Sequence, residues 1–193
     1  MHPKKVEIRH RQIIFDDKFR IQEAEVCNQR YDGQMSNPAR RLVFERGDAV
    51  AAILFNRDSQ KVLLIEQFRY PTYEKGPGWI IEVVAGVIES DKGPEDAIRR
   101  EIEEEAGYQA QQLIPIATFY VSPGGTSERI RLYYAEVGNS DCISAGGGLP
   151  DENEDIRLVE YSRPELLEAV ASGQIQDAKT LIAIQWLQLQ CKI

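Results

Sequence analysis

Over residues 4–46 the apolar positions recur at short, strand-like spacing. Val6 and Ile8 come first, then Ile13, Ile14 and Phe15, then Phe19, Ile21 and Val26. Asp32-Gly33 marks a turn, and Leu42-Val43-Phe44 reads as a returning strand. A small antiparallel sheet of this kind buries too little apolar surface to stand alone. It needs a surface to pack on, and a second copy of the chain would supply one.

From Gly47 the pattern changes, dividing the chain into an N-terminal β element over 1–46 and a larger domain over 47–193. Ala49 to Phe55 and Lys61 to Arg69 read as strands joined by the turn-rich Asn56-Arg57-Asp58-Ser59. Ile80 to Val84 is a further strand, ending at Ala85-Gly86. Pro94 opens a helix that runs to about Ala106, where Gly107 is placed to end it. Strands follow at about Pro115–Val121, Arg129–Val137 and Ile156–Tyr161. Two helices close the chain, Arg163–Ala171 and Lys179–Gln190. Strands on both sides of a helix predict an α/β (α+β) fold with a mixed sheet covered by helices.

Composition narrows the function. With 31 acidic and 23 basic residues the net charge is -8, which argues against broad binding to nucleic acid or to anionic membrane. An anionic substrate would need local arginines or a bound cation. Cys27, Cys142 and Cys191 are far apart and form no CxxC pair, which fits a reducing compartment better than a disulfide framework. The first residues, MHPKKVEIRHRQ, lack the apolar run of a signal peptide, and the longest apolar stretch, Ala49 to Phe55, is too short to span a bilayer. A cytoplasmic location is expected. His2 and His10 both lie in the N-terminal strands, and no Ser-His-Asp or Cys-His arrangement can be drawn.

Chemistry concentrates in the helix that starts at Pro94. At about 100° per residue, Glu105 stands about 40° from Glu101 on one side and Glu104 about 60° on the other, so the three share a face. Ile98, Ile102 and Ala106 form the buried stripe beside it, and Glu103 points away. Three carboxylates at this spacing repel one another, and a row of hard oxygen ligands beside a buried face suits Mg²⁺ or Mn²⁺. A solvated acidic helix face is the plainer alternative.

The wider stretch, AGVIESDKGPEDAIRREIEEEAGY, resembles the Nudix box: a glycine, a spaced glutamate, then R-E-U-x-E-E-x-G-U with U apolar. Gly86 lies fourteen positions before Arg100, and Arg100, Glu101, Ile102, Glu104, Glu105, Gly107 and Tyr108 fall in register. One position departs: the spaced glutamate is Lys92 here, where Glu89 or Asp91 could take over a structural ion pair. The resemblance implies a Nudix α/β/α sandwich. It implies Glu101, Glu104, Glu105 and the Ala85 carbonyl as metal ligands, with Arg100 orienting the carboxylates. It extends through the GQMS turn, the FERG junction, SPGGTSE, the DENEDI loop and the last helix, all similar to the ADP-ribose and nucleotide-sugar pyrophosphatase branch. That similarity implies Glu152 as general base and Glu154 as a further metal ligand. It implies Arg69 of the E-Q-x-R segment on the substrate diphosphate and Glu128 near the distal sugar. It also implies a homodimer with an exchanged N-terminal sheet, Arg41 contacting the base across the interface. The expected reaction is metal-dependent hydrolysis of ADP-ribose, or a related nucleoside diphosphate sugar, to a nucleoside monophosphate and a sugar phosphate. The Ala145-Gly146-Gly147-Gly148 run resembles GDP-mannose and UDP-sugar hydrolases, and Lys18-Phe19 stands where ADP-ribose enzymes tend to carry an aromatic pair. A nucleotide-sugar sensor with weak catalysis is the alternative that Lys92 motivates.

Overall fold

The computed structural model describes residues 4–88 and 93–190, and of Glu152 the backbone alone. Lys92, Glu89, Asp91, His2 and Cys191 lie outside the described residues. The chain divides into two compact units, Met1–Gly47 with Tyr120–Arg129, and Asp48–Phe119 with Ile130–Ile193.

In the first unit, β1 (Val6–Asp16), β2 (Arg20–Asn28) and β3 (Ala39–Glu45) form a three-stranded antiparallel sheet in that order. Irregularities in β1 between Ile8 and His10 and between Ile13 and Phe15 explain why three apolar residues follow one another there, since a bulge resets the alternation of faces. The segment 120–129 joins this unit although it is remote in sequence. Phe44 donates its N–H to the Gly125 carbonyl (2.8 Å), and the Thr126 hydroxyl donates to the Phe44 carbonyl (2.8 Å).

The second unit is built on a mixed seven-stranded sheet. Its main order is β10 (Arg157–Tyr161), β5 (Lys61–Phe68), β4 (Ala49–Asn56), β9 (Arg129–Val137), β8 (Ile114–Tyr120). β4 and β9 run parallel, while β4–β5 and β5–β10 are antiparallel. β4 is apolar on both faces because both faces are covered. Ala49, Ala51 and Ile53 share a core with Leu166, Ala183 and Leu187 of the C-terminal helices α3 (Arg163–Ala171) and α4 (Ala178–Leu189). Val50, Ala52 and Leu54 share the other with Ile98 and Ile102 of the box segment. Each fully buried Ile or Leu here contributes roughly 1.5–3 kcal/mol.

Three elements differ from the sequence expectation. The strand expected at Ile80–Val84 is two short strands, β6 (Trp79–Glu82) and β7 (Val84–Val87), separated at Val83. β4 pairs with β5 only at Leu54–Asn56; beyond that β5 pairs with β6 and β4 with β7. The break lets one segment fill the gap between two diverging strands. The helix is also not uniform. It is α-helical over α2 (Pro94–Glu101) and π-helical over Ile102–Ala106. The expected strand Lys61 to Arg69 stops at Phe68, and a one-turn helix, α1 (Tyr70–Tyr73), follows it with Arg69 at its cap. Among the described residues, no helix is long and apolar enough to cross a membrane.

Candidate active site

The box segment ends in a tight clasp. Gly107 adopts φ 78°, and a Cβ there would collide with the Ser144 carbonyl. The loop after β9 closes on this end. Gly147 donates to the Glu105 carbonyl and Gly148 to the Glu104 carbonyl (3.0 Å each), while Ile143 and Ser144 donate to Gly107 (2.8 and 3.2 Å). These bonds satisfy carbonyls that a helix end leaves open. The turn they cap is the π-helical one, a form that recurs at functional sites. The glycine run 146–148 therefore has a structural task in this chain.

The carboxylates divide by environment. Glu101 packs on Gly86 so closely that a Cβ at Gly86 would overlap its carboxylate, which makes glycine necessary there. Arg100 bridges Glu101 (2.9 Å) and Glu104 (3.2 Å). Glu105 is buried, and its carboxylate accepts the Ala85 N–H at 3.1 Å. Burial pushes its pKa up to about 8; the Ala85 bond opposes this, and the charges of Glu101, Glu82 and Glu154 add to it. The DENEDI loop folds back on itself. One Glu154 oxygen accepts the Leu149 N–H (3.0 Å), and Asn153 takes the left-handed conformation that Asn tolerates. Glu152 lies in a 3₁₀ turn, Pro150–Glu152, and its side chain is outside the described residues.

The donor set fits a divalent cation. All candidate ligands are hard oxygens, and the Glu105 carboxylate is buried among like charges with one N–H to offset them. Among the described residues no three acidic groups converge as a ready cage, since Arg100 draws Glu101 and Glu104 to itself.

A second acidic position went unseen in the sequence. Glu82 is buried between two cations: Arg69 donates Nε to it at 2.7 Å, and Lys179 donates to its other oxygen. Lys179 also contacts Asp177 (3.1 Å), which caps α4 through the Thr180 N–H (2.9 Å). A charged residue inside the apolar run Trp79-Ile80-Ile81-Glu82-Val83-Val84 was the available signal. Arg69 and Glu82 line a cavity of about 540 Å³ with Thr72, Lys75, Ile80 and Asp177.

In the first unit, Glu128 is buried and faces Arg46 at 3.6 Å. Arg41 is exposed on β3. Phe19 stands near Phe15 and Phe44, with ring centroids 6.0 and 4.6 Å away.

A family model described as the NUDIX domain matches residues 45–181. The chain belongs to the NUDIX family. This NUDIX protein is 41% identical to the ADP-ribose pyrophosphatase of Escherichia coli (strain K12) over 187 residues, covering 95% of this chain and 88% of that protein. It is 37% identical to the GDP-mannose pyrophosphatase of Cronobacter sakazakii (strain ATCC BAA-894), with 96% of each covered. A solved structure titled "Crystal structure of ADP compounds hydrolase" superposes with TM-score 0.72 at 18% identity, over 98% of this chain and 97% of that one, and so shares the fold.

Proposed function

We propose that this NUDIX protein hydrolyses the pyrophosphate bond of ADP-ribose, or a closely related nucleoside diphosphate sugar, with magnesium as the working cation and manganese as a substitute. One observation carries the reading: Glu105 is buried with other carboxylates around it, held by the Ala85 N–H at the end of the box segment. The 41% identity to an ADP-ribose pyrophosphatase supports the substrate. A cation held by Glu101, Glu104, Glu105, Glu154 and the Ala85 carbonyl would neutralise the diphosphate and lower the pKa of attacking water.

The chain's own residues do the rest. Arg100 orients Glu101 and Glu104. Arg69, whose guanidinium already meets Glu82, binds the diphosphate with the donors that remain. Glu152 takes the proton of the attacking water as general base, a contribution typically worth about 10²–10⁴-fold. Glu128 reads the distal sugar, and Arg41 the base. The Phe15–Phe19–Phe44 cluster supports an aromatic platform in the first unit even with Lys18 in place of a second ring.

The assembly we propose is a homodimer with exchanged N-terminal sheets. β1 is exposed along its whole length although it carries Val6, Ile8, Ile13, Ile14 and Phe15, more apolar surface than a monomer ordinarily shows. The working location is the cytoplasm, in keeping with free thiols at Cys27 and Cys142.

The test is product analysis with ADP-ribose and magnesium for wild type and Glu152→Gln. Release of AMP and ribose 5-phosphate by wild type is expected, with turnover falling and binding retained in the variant. Undiminished turnover in Glu152→Gln would remove the base assignment. Preference for GDP-mannose is the second reading, favoured by the 37% identity, and the same assay run with both substrates decides between them.

A further inference from the structure

Gln67 combines deep burial with an amide nitrogen, Nε2, that has no hydrogen-bond partner among the described residues; only 7% of its surface is exposed. Such a donor costs the fold free energy, because water satisfied it in the unfolded chain. Its neighbours are accounted for: Glu66 pairs with Arg157, and Arg69 with Glu82.

Register shows which way Gln67 points. On the β5–β6 pair, Ile65 stands opposite Glu82 and Gln67 opposite Ile80. Directly opposed residues share a face, and alternation places Gln67 on the face of Ile65. Ile65 belongs to the core that holds Ile98 and Ile102 of the box segment. The backbone stays extended at Arg69 (φ -119°, ψ 93°), so that side chain leaves on the same side, roughly 7 Å further along. Arg69 also feels the charge of Glu105. A neutral amide and a guanidinium thus stand in tandem on the strand end that faces the carboxylates. A diphosphate carries acceptor oxygens on two adjacent phosphorus centres and can meet both.

We propose that Gln67 is a substrate-binding residue whose amide N–H donates to one phosphate oxygen of the nucleoside diphosphate while Arg69 holds others. The donor the fold leaves orphaned is then satisfied by substrate. This assignment rests on the hydrolase reading above.

Gln67→Leu keeps most of the side-chain volume and removes the donor. The dissociation constant of the non-hydrolysable methylene analogue of ADP-ribose, with magnesium present, is measured beside the melting temperature. The expected result is affinity weakened about ten- to hundred-fold, KM raised in parallel, and a melting temperature equal to or above wild type. Gln67→Glu, which presents a carboxylate to the phosphate, should weaken binding at least as much. A purely structural role predicts the reverse split: unchanged affinity, or affinity lost only together with melting temperature in both variants. Either result overturns the assignment. If wild type neither binds the analogue nor releases AMP from ADP-ribose, the hydrolase reading falls and takes this assignment with it. If wild type does both and Gln67→Leu matches it, the Gln67 assignment falls alone.

Discussion

Glu82 and Glu105 are buried to the same degree, each 2% exposed, yet they belong to opposite kinds of site. Glu82 sits between Arg69 and Lys179, so both its oxygens meet cations. Glu105 accepts one backbone N–H and feels the charges of Glu101, Glu82 and Glu154. The first arrangement is complete within the chain. In the second, among the described residues, no cation pairs directly with the carboxylate, and burial beside like charges raises its pKa. Burial alone therefore does not separate the two carboxylates; the sign of their surroundings does.

Glu105→Gln should break the comparison most sharply. Turnover should fall on the order of a thousand-fold, while the metal-free protein at pH 8 melts at or above the wild-type temperature, because a repelled carboxylate has been replaced by a neutral group. Glu82→Gln should do the converse. It strands the charges of Lys179 and Arg69, and a urea melt should show a loss of about 3 kcal/mol, reduced by the partial exposure of Arg69. Metal uptake by the folded fraction should survive. Gly86→Ala should displace the Glu101 carboxylate; we expect about 1–3 kcal/mol lost on thermal melting, with a larger proportional loss of turnover than of substrate affinity.

The pH dependence is the gentlest test. The Glu105 pKa is raised from 4.5 to about 8 in the folded metal-free protein, so the native state holds a proton that the unfolded chain has released. Its contribution to stability is complete below about pH 4.5 and is lost as pH rises through about 8. Melting temperatures of metal-free wild type should therefore decline more between pH 5 and pH 8 than those of Glu105→Gln.

Much of this was readable from the chain. The apolar run Ala49 to Phe55 read as a strand, and it is β4, buried on both faces; strands on both sides of a helix pointed to the covered mixed sheet. The buried stripe Ile98, Ile102 and Ala106 followed from helical spacing, and all three are buried. Three features were not legible, each because it depends on distant contacts. The π turn is capped by a distant loop, whose glycines Gly147 and Gly148 bond the Glu105 and Glu104 carbonyls. The break at Val83 reflects the divergence of β4 and β5, which a single-strand pattern cannot register. Glu82 went unseen because its partner Lys179 lies 97 residues away. Helical spacing put Glu101, Glu104 and Glu105 on one face alike, whereas Arg100 holds two and the backbone holds the third.

The most direct test is calorimetric titration of magnesium into wild type and Glu105→Gln at pH 7, in buffers of different ionisation enthalpy and with the methylene analogue of ADP-ribose present. A carboxylate that carries a proton until about pH 8 must release it when a cation binds, so wild type should lose about one proton per cation and the variant should lose none. Saturable magnesium uptake by wild type with no proton released, or no uptake at all, would contradict the account.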